Sequence, residues 1–316
     1  MNDQSELQVT LPDLPDDLNE LDDLIRMGES KHNDLKPDNE ARIMWYGDRM
    51  EVTDYALVYI HGFTASQAEG YPTHVEFGKR YGCNVYLARL YGHGLDDDAL
   101  SELTPQKLID SAAYALAIGK KIGKKVILMG TSTGASLSLY LTSIFTDIKG
   151  LIIYSPLIEF YDKRVSLLGN PAVNFMMTKI LNLKYVYAHV NTSDEEKQYW
   201  YNHYRIEGIK ALKQFVHSAM TPETFKKITQ PVFMGYYYKD KQKHDHKVSV
   251  PAMLKMFSQL GTPNRMKRKI NFQKSGAHVI ASSITSKDYY SVMEETFNFT
   301  EDILRMNPVL NALDQV

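Results

Sequence analysis

The stretch Val126-Ile-Leu-Met-Gly-Thr-Ser-Thr-Gly-Ala135 constrains this chain more than any other. An apolar run, Val126 to Met129, leads into Gly130-Thr131-Ser132-Thr133-Gly134, and a helix-like run with Leu137, Leu139, Tyr140 and Leu141 follows. That order is strand, sharp turn, helix, with a serine at the apex, the G-x-S-x-G pattern of a nucleophile elbow. Such a turn forces its serine into a strained backbone conformation, so the flanking positions must be small. Gly130 and Gly134 meet that need, and Ala135 and Ser136 let the helix pack close to the strand. Five residues alone are a weak signal; their place between a strand and a helix strengthens it.

Around the elbow the chain alternates apolar strands with helices. Ala41 to Tyr46 is a candidate first strand, and Ala56-Leu-Val-Tyr-Ile60 is a strong buried one that ends in His61-Gly-Phe-Thr-Ala-Ser66. Pro72 to Tyr81 reads as a helix, and Asn84-Val-Tyr-Leu-Ala88 is a strand ending in Arg89-Leu-Tyr-Gly-His-Gly94. Thr104 is placed as the N-cap of a helix that Pro105 opens and Gly123 stops. Gly150 to Tyr154 is the next strand. After residue 220 come an N-cap pair at Thr221-Pro222, a strand over Pro231 to Tyr238, a helix from Pro251 to Leu260, a last strand at Lys269 to Phe272 and a helix over Asp288 to Leu304. This rhythm predicts an α/β fold with a mostly parallel, doubly wound sheet. In such sheets sites form at the carboxyl ends of the strands, so the loops after Ile60, Ala88, Met129 and Tyr154 share one edge.

Two stretches break the rhythm. Residues 1–40 carry 12 Asp/Glu against 3 Lys/Arg, with Leu18, Leu21, Leu24 and Ile25 at helical spacing; we read an acidic arm that docks one short helix on the body. Residues 157–220 are rich in aromatics and methionine, among them Phe160, Phe175, Met176, Met177, Trp200 and Tyr204, and are read as an inserted helical lid over the strand ends. Most of those side chains form the lid's own core, and a few face an apolar substrate. The core is then residues 41–156 and 221–316.

Composition narrows the function classes. A formal net charge of −2 gives no pull toward nucleic acid or anionic membranes. No apolar run reaches the roughly 18 residues of a membrane span. The polar N-terminus has no signal-peptide core, so a cytoplasmic location is expected. The single cysteine, Cys83, leaves no intrachain disulfide and no cysteine metal site; it is expected to be buried and inert.

A serine hydroxyl needs a base within hydrogen-bond reach and an acid to orient that base. On an elbow fold these follow in the order Ser, Asp/Glu, His. Of the 10 histidines, only His278, in Gly276-Ala-His-Val-Ile280 after the last strand, has that order and location. Asp240 and Asp245 both lie in the loop after the strand ending near Tyr238; Asp245 is preferred because it stands three residues before an apolar residue that opens a helix. His244 and His246 flank it, but a His-Asp-His alternation in a basic loop is read as solvated, with no metal. The oxyanion of an acyl-transfer intermediate needs two donors. The N–H of Thr133 is one, and the N–H of Phe63 fits as the other. His93 is read as a histidine bonding loop backbone.

Taken together, His61 to Ser66, Arg89 to Gly94, Gly130 to Gly134 and Gly276 to Ile280 resemble the α/β-hydrolase superfamily, and within it bacterial carboxylesterases and monoacylglycerol lipases. The likeness runs over roughly residues 41–305 and leaves out the acidic arm. It implies Ser132 as nucleophile, His278 as base, and the N–H groups of Phe63 and Thr133 as oxyanion donors. The family's Asp-x-x-Ile/Val loop matches Asp245 to Val248, though the loop before it is longer here, and Thr131 replaces a larger residue. The expected activity is cleavage of a small carboxylic ester with an apolar acyl group, without a cofactor. The same triad acting on a thioester, amide or C–C bond is the first alternative, and a non-catalytic binding protein on a hydrolase scaffold is the second.

Overall fold

The computed structural model of the protein describes residues 7–96, 98–165, 184–187 and 193–309. Its strands are β1 (Arg42–Met44), β2 (Ala56–Ile60), β3 (Asn84–Leu87), β4 (Val126–Thr131), β5 (Gly150–Tyr154), β6 (Tyr185–Tyr187), β7 (His203–Arg205), β8 (Val232–Tyr236) and β9 (Lys267–Asn271). Seven of them form one sheet in the order β1-β3-β2-β4-β5-β8-β9. Every pairing in it is parallel except that of the edge strand β1 with β3.

Successive side chains of a strand point to opposite faces, and the apolar runs of β2, β4, β5 and β8 therefore fill two cores at once. Val58, Leu128, Ile153 and Met234 join one cluster, while Leu57, Ile127, Ile152 and Phe233 join the other. Helices cover both faces, as a parallel sheet requires. Helix α1 (Leu18–Glu29), α3 (Pro105–Ile122) and α4 (Thr133–Thr142) pack on the first through residues such as Leu21, Leu108 and Leu137. Helix α2 (Thr73–Tyr81) packs on the second through Phe77. The Thr104 hydroxyl caps α3 by accepting from Lys107 N at 3.1 Å. Cys83 is buried, and burial pushes its thiol up to about 12, so it stays protonated.

Between β5 and β8 the chain leaves the sheet. The described part of this insertion holds the antiparallel β6–β7 pair, α5 (Asp194–Tyr199) and α6 (Ile206–Ala219), followed by α7 (Pro222–Lys227). Phe175, Met176 and Met177 lie outside the described residues. Beyond β8 come α8 (Val250–Gln259) and α9 (Tyr289–Phe299), with α9 running into a wide π turn over Thr300–Leu304.

Element bounds shift by a residue or two at several ends, and three of the shifts have a local reason. Strand β8 stops at Tyr236, because Tyr237 and Tyr238 turn away to pair with the loop: Tyr237 O accepts from Asp245 N and Tyr238 bridges His244. Strand β9 begins two residues early, at Lys267; it is an edge strand whose lysines and arginine reach solvent, so apolar patterning under-reports it. The last helix gives way to the π turn at Thr300 and ends at Arg305, whose φ is 59°.

The N-terminal arm docks in two places. Asp17 caps α1, and α1 buries Leu21 and Ile25 while Leu24 stays at the surface. Further on, residues 36–39 join the core to the insertion. Lys36 N donates to Gly94 O at 2.8 Å. Asn39 Nδ2 donates to Gln198 O at 3.1 Å, and the Tyr199 hydroxyl donates to Asp38 Oδ2 at 2.8 Å.

At the elbow, helix and strand meet without space for one methyl group. A Cβ on Gly134 would stand 1.9 Å from Ile60 O and 2.6 Å from His61 O, both backbone atoms that cannot swing aside. Gly134→Ala is therefore expected to lower stability by about 2–3 kcal/mol. Differential scanning calorimetry should show the thermal midpoint falling by about 5 °C or more, whereas Gly28→Ala, with nothing within 4 Å of the added carbon, leaves it level or raises it.

Candidate active site

The elbow serine sits between β4 and α4 with φ 55° and ψ −114°, a region costly for any residue with a side chain. Its neighbours over-determine it. Ser132 N donates to Tyr154 O at 2.9 Å, and Ser132 O accepts from Leu157 N and Ser136 N, each at 3.1 Å. The Ser136 hydroxyl donates to Leu157 O at 2.7 Å, tying the helix to the same loop. The end of β5 thus holds the turn from outside.

His278 reaches the same edge from the loop after β9. The Ser155 hydroxyl, just past β5, donates to His278 O at 2.7 Å and fixes that loop. The His278 ring donates through Nδ1 to Asp245 Oδ2 at 2.6 Å. Asp245 is buried, and its Oδ1 accepts from Lys247 N at 2.8 Å and Val248 N at 3.2 Å. Those two bonds explain the Asp-x-x-Val spacing: the carboxylate caps the turn that leads into α8 and so cannot rotate. Asp240 does something else. Its carboxylate closes an exposed turn by accepting from Gln242 N and Lys243 N. His244 and His246 pack on Tyr161, and among the described residues no three His, Cys, Asp or Glu cluster as metal ligands.

Charge follows from this geometry. Burial lowers the affinity of the His278 imidazole for a proton, but the Asp245 charge and hydrogen bond outweigh it, and the net direction is up from 6.5. Burial pushes the Asp245 carboxyl up, yet His278 and the two backbone N–H groups pull it below its ordinary 3.8. The pair therefore favours imidazolium–carboxylate. The Asp245 share of its stability is present above the unfolded carboxyl value and is lost as pH falls through the folded one. The His278 share is present below 6.5 and is lost as pH rises through the folded value.

The loop after β2 forms the third wall. His61 is fully buried and pushed well below 6.5, chiefly by desolvation, so its ring is neutral. It accepts from Leu90 N through Nε2 at 3.1 Å, which leaves Nδ1–H to donate to Gly62 O at 2.7 Å. A peptide plane carries its C=O and N–H on opposite edges. By holding Gly62 O, His61 turns the Phe63 N–H the other way. His93 Nδ1 bonds Tyr91 O at 2.9 Å and its ring lies against Phe63 and His61, so it packs the turn.

Ser132, Thr133, Phe63 and His278 all line one cavity of about 590 Å³. Asp245 lies behind His278. Much of the cavity wall is apolar and comes from the insertion, including Phe160, Val186, Trp200 and Leu212. One buried polar member was missed by sequence reasoning. Glu69, in the short helical turn Gln67–Gly70, is 2% exposed and accepts from Gly62 N at 2.5 Å. Its only signal in the sequence is a carboxylate among small residues after His61. A second cavity, about 660 Å³, lies between the arm and the turn after β3, and neither Ser132 nor His278 lines it.

The family model described as the alpha/beta hydrolase family matches residues 57–262. A search of curated proteins finds no match. Among solved structures, one from a description of LipS and LipT, two metagenome-derived lipolytic enzymes, is similar with a TM-score of 0.68 at 17% identity, covering 86% of this chain and 99% of that one. The monoacylglycerol lipase of Paleococcus ferrophilus is similar with a TM-score of 0.57 at 13% identity, over 82% of this chain and 99% of that one. Est1E from Butyrivibrio proteoclasticus, with ferulic acid bound, has a TM-score of 0.55 at 17% identity, over 84% and 95%.

The balance of charges around His278 is open to measurement. In NMR pH titrations the His278 midpoint is expected above 6.5 in the intact chain. In Asp245→Asn, where burial acts without the countercharge, it should fall below 6.5. A midpoint that does not move would mean that the carboxylate leaves the imidazole's proton affinity unaltered.

Proposed function

The chain belongs to the alpha/beta hydrolase family, and from that premise we propose that it is a serine hydrolase cleaving carboxylic esters, with Ser132, Asp245 and His278 as its triad. The observation that carries this is the 2.6 Å bond from His278 to a buried carboxylate, beside a cavity in whose wall Ser132 also stands. An imidazole bonded through Nδ1 to a carboxylate offers Nε2 as the base.

In this mechanism the Ser132 hydroxyl attacks the ester carbonyl while His278 Nε2 takes its proton. Asp245 stabilises the imidazolium and keeps the ring in the required tautomer. The carbonyl oxygen gains charge and accepts from two backbone N–H groups. Thr133 is the first residue of α4, so its N–H has no carbonyl one turn back, and the helix dipole adds to its pull. Phe63 supplies the other, aimed by His61. His278 then returns the proton to the leaving alcohol, an acyl group stays on Ser132, and water activated by the same base releases it. Water is the only co-reactant.

Residues 157–220 act as the lid. Phe160, Val186, Trp200, Tyr204, Ile209 and Leu212 face the cavity, and this apolar lining favours an acyl chain or an aromatic acid. A volume of about 590 Å³ is in the range for a small organic ligand. That the similar structures include a monoacylglycerol lipase and one from a description of lipolytic enzymes supports an ester as the bond cleaved. Residues 1–40 act as a docked arm whose Lys36–Asn39 stretch steadies the lid at α5.

A fluorophosphonate probe is expected to label the protein, and Ser132→Ala to abolish labelling and lower kcat by about 10⁴-fold or more. Asp245→Asn should cost about 10³–10⁴-fold in kcat, while Asp240→Asn changes it less than about twofold. p-Nitrophenyl esters of graded chain length then read out the acyl preference. A protein that resists the probe, or that cleaves thioesters but no ester, would overturn the proposal.

A further inference from the structure

Glu69 is a buried carboxyl group in the wall of the cavity, and it faces the His278 imidazole rather than a lysine or arginine. It is 2% exposed, and among the described residues no lysine or arginine pairs with it. Its hydrogen-bond donor is a neutral dipole, Gly62 N–H at 2.5 Å, and the side chain of Trp200 adds a second polar contact. A carbon placed on Gly62 would touch both Glu69 oxygens at 2.9 Å and Ser132 Cβ at 3.1 Å. The carboxyl thus shares the narrow space on that side of Gly62 with the nucleophile, next to the peptide that carries the Phe63 N–H.

Resting on the ester-hydrolase proposal, we propose that Glu69 is a positioning residue: it anchors the oxyanion loop through Gly62 and supports turnover only as the neutral acid. The reason is electrostatic. Negative charge builds on the substrate oxygen beside Phe63 as the tetrahedral intermediate forms, and a carboxylate held on the neighbouring Gly62 opposes it. A protonated carboxyl keeps the same bond to Gly62 N–H without that opposition. Burial pushes the Glu69 carboxyl up, against the pull of Gly62 N–H, His278 and Trp200, to about 7. The group therefore changes charge within the working range.

Of the other titratable groups around it, Tyr59, His61 and His74 do not mimic this change, and Lys247, which lines the same cavity and is pushed below 10.5 by burial, is told apart by the Glu69→Gln profile. Tyr59 faces Glu69 from β2, and burial pushes its hydroxyl far up, so it stays protonated. His61 and His74 flank the loop and are pushed down by burial, His74 to about 4, so both stay neutral. His278 faces it from the loop after β9 and carries Asp245 and Lys247 behind it. Loss of its proton with rising pH turns activity on. Loss of the Glu69 proton turns activity off. The two produce opposite limbs.

The test is the pH dependence of kcat and KM for p-nitrophenyl butyrate, from about pH 5.5 to about 9.5, with the full chain as wild type, Glu69→Gln and Glu69→Ala. The rate of Ser132 labelling by an uncharged fluorophosphonate is followed over the same range. Wild type should give a bell in kcat/KM whose alkaline limb steepens toward about tenfold per pH unit, carried by kcat. Glu69→Gln is uncharged throughout and keeps an oxygen for Gly62 N–H, so its alkaline limb should vanish. Glu69→Ala loses the anchor and should fall about tenfold or more across the range. A wild-type profile or labelling rate that stays level above neutrality overturns the proposal, whether or not Glu69→Gln folds. So does an alkaline limb that persists in Glu69→Gln, or a Glu69 requirement confined to esters bearing an amine, which would make the carboxylate a cation anchor. Absence of both labelling and turnover in wild type removes the ester-hydrolase proposal and this one with it; labelling at Ser132 with superimposable wild-type and Glu69→Gln profiles removes this one alone.

Discussion

At Gly134 the first turn of α4 lies directly on the carbonyl groups of Ile60 and His61, and the rest of the site depends on that contact. It brings the ends of β2 and β4 so close that Ser132, at the crossing, has one backbone conformation open to it, with φ 55°. The strain is local and costs on the order of 1–3 kcal/mol. The sheet supplies the restraint: Tyr154 and Leu157, at and just past the end of β5, bond both polar groups of the Ser132 peptide. A side chain in a relaxed turn would fall back toward the sheet. This one lines the cavity.

The same close approach serves the loop after β2. Because Ile60 and His61 are pinned by α4, the His61 ring has a fixed place from which to bond Gly62 O and Leu90 N. The orientation of the Phe63 N–H follows from planarity of one peptide. Glu69 returns from the next turn to hold the N–H of Gly62. A short loop is thus clamped at both faces by side chains only one and seven residues along the chain.

Two kinds of order meet at the cavity. The wall built by β2, β4, β5 and β9 is held by backbone bonding and a core on each face. The opposite wall comes from the insertion, tied to the body through the arm at Asp38 and Asn39. Apolar groups such as Trp200 and Leu212 come from that side, so the polar groups around Ser132 and the apolar lining have separate supports. A change in the insertion can alter the cavity without disturbing the arrangement of Ser132, Asp245 and His278.

Much of this was legible in the chain itself. Continuous apolar runs in β2, β4 and β5, glycines flanking Ser132, and N-caps at Thr104 and Thr221 rest on burial, local sterics and hydrogen bonding, which a sequence carries directly, and the order Ser132, Asp245, His278 can be read along the chain. Edge strands were less legible, since β9 presents lysine and arginine to solvent and its apolar pattern fades. Between Asp245 and Asp240 the spacing favoured one, and the reason became visible only in space: Oδ1 of Asp245 caps its own turn so that Oδ2 meets His278, whereas Asp240 spends its carboxylate on Gln242 and Lys243. Glu69 was invisible for the same cause. Its small neighbours after His61 do not tell it from a surface carboxylate by themselves; its burial, its bond to Gly62 and its nearness to Ser132 exist only once β2, α4 and the insertion close around it. The sequence by itself determined the sheet, the elbow and the types of group brought to its edge. Tertiary packing alone decided which carboxyl groups were stripped of water, and so which of them have an altered charge.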